Sequence, residues 1–215
     1  MNRFSSFLTI LILFFTLSIH AQEDRYVAAM KKGLSQLSEI ESIEDMTAVV
    51  NHFERVAQAE SAEWLPGYYA AYTLSMQSFR TENGEEKDEL LDKAQEWIDN
   101  ILEMEPEESE ILVMQAMIYQ ARIQVDFMAR GAEMSMLQAA ALAEAEELNP
   151  ANPRVFLLRG QNTYYTPEFF GGGAEAARPI LETAREKFDA YESDNELAPA
   201  WGNGRLEFLL AQYEE

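Results

Sequence analysis

From residue 22 onward the apolar positions return every three or four residues, and alternating β-branched runs joined by Asn-Gly turns are missing. That period predicts helices over 23–39, 43–60, 63–80, 86–104, 108–129, 134–148, 153–165, 174–191 and 199–213. Pro66, Pro106, Pro150, Pro153, Pro167 and Pro199 fall at or near the ends of these segments, where a missing N–H costs least, and Pro179 alone lies inside one. Ser42 with Asp45 supplies a capping box for the second helix. Asn152 followed by Pro153 supplies a cap and a first-turn proline for the seventh.

The helices also repeat. Val49, Phe53 and Val56 return as Ala94, Ile98 and Ile101, then Gln138, Leu142 and Ala145, then Ala177, Leu181 and Ala184, at offsets of 45, 44 and 39 residues. Ala71, Ala116 and Gly160 recur ahead of the last three triplets, each in the first helix of a pair, where a small side chain lets the partner helix approach. Pro106 and Pro150 close two of the units. One pair cannot cover its own apolar face, so pairs must stack. The expected fold is all-α: a solenoid of about four antiparallel helix pairs with a C-terminal capping helix, forming one domain over 22–215.

A small residue in the first helix, Ala-x3-apolar-x2-Ala in the second and a proline after the turn resembles the tetratricopeptide repeat. In Pro153-Arg-Val-Phe-Leu-Leu-Arg-Gly160, Phe156 and Gly160 match that family's large and small positions, and Leu112, Ala116 and Tyr119 fit one unit earlier. The resemblance spans 43–191. The period of about 44 residues exceeds the family's 34 and also suits HEAT-like pairs, and Gln138 stands where a small residue is expected. A shorter stretch, Pro167-Glu-Phe-Phe-Gly-Gly-Gly173, is similar to the periplasmic tetratricopeptide-like component of TRAP-type transporter systems. That similarity implies a ligand-capturing accessory of a transport system.

The N-terminus reads as an export signal over 1–21. Arg3 precedes an apolar run from Phe7 to Ile19, and Ala21 marks the cut. The run is shorter than the roughly 20 residues that span a bilayer, and no cysteine is available for lipid attachment. The expected product is exported, periplasmic or secreted, soluble and without a membrane span after cleavage.

Charge and composition narrow the function. Acidic residues outnumber basic ones 38 to 16, for a net charge of −22. Removing the leader takes Arg3 and no acid, which makes the balance one charge more negative. Nucleic acids, phosphate-rich ligands and anionic membranes call for the opposite sign. The absence of cysteine removes disulfides, thiol nucleophiles and thiolate metal sites. His52 is the one histidine outside the leader, and no His-Glu-x-x-His or Gly-x-Ser-x-Gly pattern occurs. Acidic groups such as Glu105, Glu107 and Glu108, or Glu144, Glu146 and Glu147, sit at helix ends, where solvation explains them. Glu192 to Glu196 lacks the glycine and spacing of a calcium loop. Gly171-Gly-Gly173 opens a helix with no Lys-Ser/Thr behind it, which suits a turn better than a phosphate cradle. No catalytic, metal or cofactor residue is expected; an acidic glycosidase-like enzyme would require two facing carboxyls.

The aromatics carry the remaining signal. In a tetratricopeptide-like register the first helices line the concave face, which would display Tyr68 and Tyr72, then Val113, Met117 and Gln120, then Leu157, Gln161, Tyr164 and Tyr165. Tyrosine, methionine and amides suit a groove for a protein segment or a small apolar ligand. Trp97 and Trp201 are expected to serve packing. The sequence thus predicts a non-catalytic exported binding or scaffold protein, with ligand capture for transport as the alternative.

Overall fold

The computed structural model describes residues 22–104 and 107–214, and the export leader expected over 1–21 lies outside them. Helix α1 runs over 22–38. It is followed by α2 (Ile43–Ala59), α3 (Leu65–Arg80), α4 (Gly84–Met104), α5 (Ser109–Ile123), α6 (Phe127–Leu148), α7 (Pro153–Tyr165), a 3-10 turn (Glu168–Phe170), α8 (Ala174–Asp189) and α9 (Asn203–Ala211). The capping box closes as expected: Asp45 N–H donates to Ser42 Oγ at 3.0 Å, and Ser42 N–H donates to Asp45 Oδ2 at 2.9 Å. Among the described residues no helix is long and apolar enough to cross a membrane.

Helices α3, α5 and α7 touch one another in sequence, and each also packs on the helix that follows it. The molecule is therefore all-α, four stacked pairs with α9 against α8. All twelve triplet residues are buried, including Gln138, which has no exposed surface. The outer helices α2, α4 and α8 bury a single stripe. Almost every residue of α3 and of α5 up to Ala121 is buried, because neighbouring pairs cover these inner helices on both sides.

Small residues sit where helices touch. A Cβ at Gly160 would lie 2.6 Å from Leu181 Cδ2, and one at Gly33 in α1 would lie 2.6 Å from Phe53 Cε1. Leu181 and Phe53 are the middle members of their triplets, so Gly33 is the first-pair counterpart of Ala71, Ala116 and Gly160. Ala116 has no exposed surface, whereas Ala143 faces solvent. Ala116→Leu should therefore cost about 1–3 kcal/mol through overpacking, and Ala143→Leu no more than about 0.5 kcal/mol. Urea denaturation of both variants checks the register, and equal midpoints would refute it.

Several helix ends differ from expectation. The segment expected as 108–129 ends at Ile123, and the next helix starts at Phe127 rather than at 134. Asp126 is the reason: its Oδ1 accepts the Ala129 N–H at 3.0 Å and caps α6. Helix α8 stops at Asp189 rather than at 191. The terminal helix starts at Asn203 rather than at 199, since the preceding backbone is used elsewhere. Arg154 Nε donates to Trp201 O at 3.0 Å, its Nη2 donates to Pro199 O, and Tyr69 OH donates to Leu197 O at 2.8 Å. The non-helical strap over 190–202 thereby lies across the inner helices. Gly171 and Gly173 adopt φ of 82° and 98°, and Gly173 N–H donates to Thr163 O at 2.9 Å, so this run is a tight turn between α7 and α8.

Candidate ligand groove

The inner helices and the strap enclose a groove of three adjoining chambers. The central one, about 500 Å³, is walled by Tyr72, Met76 and Phe79 from α3, Met117 from α5, Leu157 from α7 and Trp201 from the strap. Tyr72, Met76 and Phe79 follow one another at i, i+4 and i+7, the spacing that puts them on one helix face. A second chamber of about 430 Å³ lies toward α1 and α2, with Leu34, Leu37, Ile40 and Met46 in its lining. Tyr72, Met76 and Trp201 border both chambers. The Tyr72 and Trp201 rings stack 5.2 Å apart at 26°, so this pair forms the partition. Burial pushes the Tyr72 hydroxyl up to about 12, which keeps the wall neutral. A third chamber, about 400 Å³, shares Gln124, Gln161 and Arg205 with the central one and adds Gln120, Asn162 and Tyr165.

A buried polar network fixes the Trp201 wall from behind. Trp201 Nε1–H donates to Tyr68 OH at 2.7 Å, and that hydroxyl donates to Glu110 Oε2 at 3.1 Å. Glu110 Oε1 accepts from Arg154 Nη1 at 3.0 Å and from Asn152 Nδ2 at 2.8 Å. The Arg154 side chain is 1% exposed and that of Glu110 9%. The guanidinium carbon also lies 5.1 Å from the Tyr191 ring centre and 5.3 Å from that of Trp201. Burial pushes the Glu110 carboxyl up, against the pull of Arg154 and the Tyr68 hydrogen bond. The same burial raises the Tyr68 hydroxyl well above its ordinary range.

The expected groove residues divide into two groups. Tyr72, Met117 and Gln161 border the central chamber, and Gln120, Gln161 and Tyr165 border the polar one. Tyr68 and Val113 do not reach the groove: both have no exposed surface. Tyr68 shares a helix face with Tyr72, but the strap and Glu110 cover it, which a register drawn for bare helices cannot anticipate. Tyr164 is half-buried and lines none of the three chambers; its ring meets Tyr213 of the chain end edge-on, with centres 6.2 Å apart. Trp201, expected only to pack, forms a wall instead, and Arg205 was not anticipated at all. Trp97 does pack, its Nε1–H pointing to Glu54 Oε1 at 3.4 Å. His52 lies away from the groove, its Nε2 2.9 Å from Ala29 O. Among the described residues no group of three or more His, Cys, Asp or Glu could hold a metal ion.

Stacked helix pairs around an apolar groove define a helical binding-protein fold. No protein-family model and no curated protein matches the chain. Among solved structures it is similar to the HusA haemophore from Porphyromonas gingivalis, at 30% identity and a TM-score of 0.78, over 87% of this chain and 92% of that one. The chain belongs to the family of that haemophore.

Proposed function

We propose that this protein is an exported, non-catalytic carrier that takes up haem or a similar flat tetrapyrrole in its groove. The observation that carries the reading is the central chamber of about 500 Å³, walled by the Tyr72–Trp201 stack and by Met76 and Met117. Its size falls in the range of small-molecule sites, about 300–1,000 Å³. Flat aromatic faces favour offset stacking on a conjugated macrocycle. Thioether sulfur adapts to irregular apolar shapes and is one of the axial donors that haem iron accepts. The family relationship supports the same ligand class, since HusA is a haemophore.

Export rests on the leader pattern over 1–21. The tetratricopeptide-like reading of the pairs is supported by the close approach of Gly160 to Leu181 and by the complete burial of Ala71 and Ala116. A protein segment suits the groove less well, because the Tyr72–Trp201 partition interrupts the path an extended peptide would follow. Capture for a transport system is the form in which a carrier of this kind would serve a cell.

Titration of the protein lacking residues 1–21 with haemin tests the reading. Saturable binding with a shifted Soret band is expected, and Tyr72→Ala should weaken it about tenfold through lost stacking and apolar area. A Soret band unchanged from free haemin would overturn the proposal.

A further inference from the structure

The third chamber differs chemically from the first two. Its lining includes the amides of Gln120, Gln124, Gln161 and Asn162 and the hydroxyl of Tyr165, with Arg205 as its one charged residue among the described residues. Among the described residues no acidic one lines this chamber or the central one, in a chain that carries 38 of them. Five other arginines meet carboxylates: Arg122 and Arg130 reach Asp88, Arg154 reaches Glu110, Arg159 reaches Glu146 and Arg178 reaches Glu182. The exposed Arg80 and Arg185, like Arg25 and Arg55, lie outside the groove's polar chamber and pair with no carboxylate among the described residues. Arg205 has none within 4.0 Å among the described residues. Two neutral acceptors hold its guanidinium instead, with Nε donating to Gln161 Oε1 at 2.6 Å and Nη2 to Tyr165 OH at 2.9 Å.

That arrangement aims a positive charge without neutralising it. Gln161 and Tyr165 take one edge of the guanidinium, and Nη1 has no partner among the described residues. Gln120 lies on the same chamber, is 6% exposed, and its amide oxygen is buried without a partner. That oxygen is an acceptor, so Gln120 would serve an anion only with its amide turned to present Nε2–H. The phenolic hydrogen of Tyr165, whose oxygen receives Arg205, offers another donor.

We infer that Arg205 is the residue that selects ligands bearing a carboxylate, with Gln161 and Tyr165 as positioning residues. An amphiphilic ligand would place its apolar body in the central chamber and its carboxylate in the amide-lined one. This inference rests on the carrier reading above and adds the polar half of the ligand. It requires an acid group at the edge of the macrocycle, which the propionates of haem supply and alkyl-substituted porphyrins lack.

The test compares haemin with iron octaethylporphyrin, which has the same ring and no carboxylate. Each is titrated into the leaderless protein and into Arg205→Met, Arg205→Lys and Gln161→Leu, with thermal unfolding run alongside. Arg205 is exposed on α9, so Arg205→Met should melt with the parent protein. The parent is expected to prefer haemin, and Arg205→Met to bind haemin about tenfold more weakly while its affinity for the octaethyl compound stays within about twofold. Arg205→Lys should recover part of the loss, and Gln161→Leu should lower haemin affinity more than affinity for the octaethyl compound. The haemin preference should also shrink as salt rises in the parent but not in Arg205→Met. Equal affinity of parent and Arg205→Met for haemin, or an equal loss for both porphyrins, would overturn the role of Arg205 and leave the carrier reading standing. Failure of the parent to bind either porphyrin would overturn both.

Discussion

Arg154→Ala is expected to destabilise the protein by about 3–5 kcal/mol, the range found when one member of a buried ion pair is removed. The loss has two sources. Glu110 would keep its charge in a buried site with only Tyr68 and Asn152 as donors, and the Pro199 and Trp201 carbonyls would lose the guanidinium that holds the strap. The pH dependence follows from the same burial. Burial raises the Glu110 carboxyl even beside Arg154, and without Arg154 it rises further. A group raised in the folded state contributes stability that is full below its unfolded value, about 4.3 for glutamate, and lost as pH rises through its folded value. The deficit of Arg154→Ala relative to the parent should therefore be largest near neutrality and narrow as the pH falls toward 5. Replacing both partners, as in Glu110→Leu with Arg154→Met, should recover most of the loss, because no unpaired charge remains. Urea denaturation at two pH values measures each term, and a deficit that grows on acidification would refute this account.

Tyr68→Ala should cost a similar amount, about 3–5 kcal/mol, as a large aromatic removed from the core. Tyr68→Phe separates the ring from the hydroxyl. The ring stays, but the Trp201 indole N–H loses its acceptor and Glu110 Oε2 loses its donor, which should cost about 1–3 kcal/mol. Tyr72→Ala, at a half-buried position on the groove wall, should cost less than Tyr68→Ala while reducing haemin binding more than Tyr68→Phe does. Thermal unfolding paired with haemin titration separates these roles. If Tyr68→Ala and Tyr72→Ala melt together, Tyr68 is not the core residue its burial indicates.

The repeats were legible because each triplet needs the same i, i+4, i+7 face, and that face is buried in all four pairs. Helix existence followed from periodicity, while the α5–α6 boundary did not, because apolar residues run on through Val125 and Phe127 and only the Asp126 side chain ends the pattern. Half of the groove could be read in the same way. Tyr72, Met117 and Gln161 fall on the inner helices as expected, whereas Met76 and Phe79, which continue the Tyr72 stripe, were missed. The polar network had a signal that went unread. Glu110 and Arg154 are opposite charges set in apolar runs, Ser-Glu-Ile-Leu-Val-Met and Pro-Arg-Val-Phe-Leu-Leu, and they stand one repeat offset of 44 residues apart. Charges in a buried stripe require each other, and the repeat register places them together. Trp201 and Arg205 had no comparable signal. They lie beyond the last triplet, and their placement depends on a strap whose path is set by hydrogen bonds to carbonyls rather than by side-chain periodicity.

That strap also sets an order of assembly. Contacts between neighbouring helix pairs join segments close in the chain, which favours rapid formation. The bond from Tyr69 OH to Leu197 O spans 128 residues, and that from Trp201 Nε1–H to Tyr68 OH spans 133. Closing such long loops has an entropic cost that is offset only once the inner helices are already stacked. A chain synthesised as far as Asp189 would hold its helix pairs and lack the Trp201 wall and Arg205. Completion of the proposed groove thus waits on the strap, which follows all four pairs in the chain.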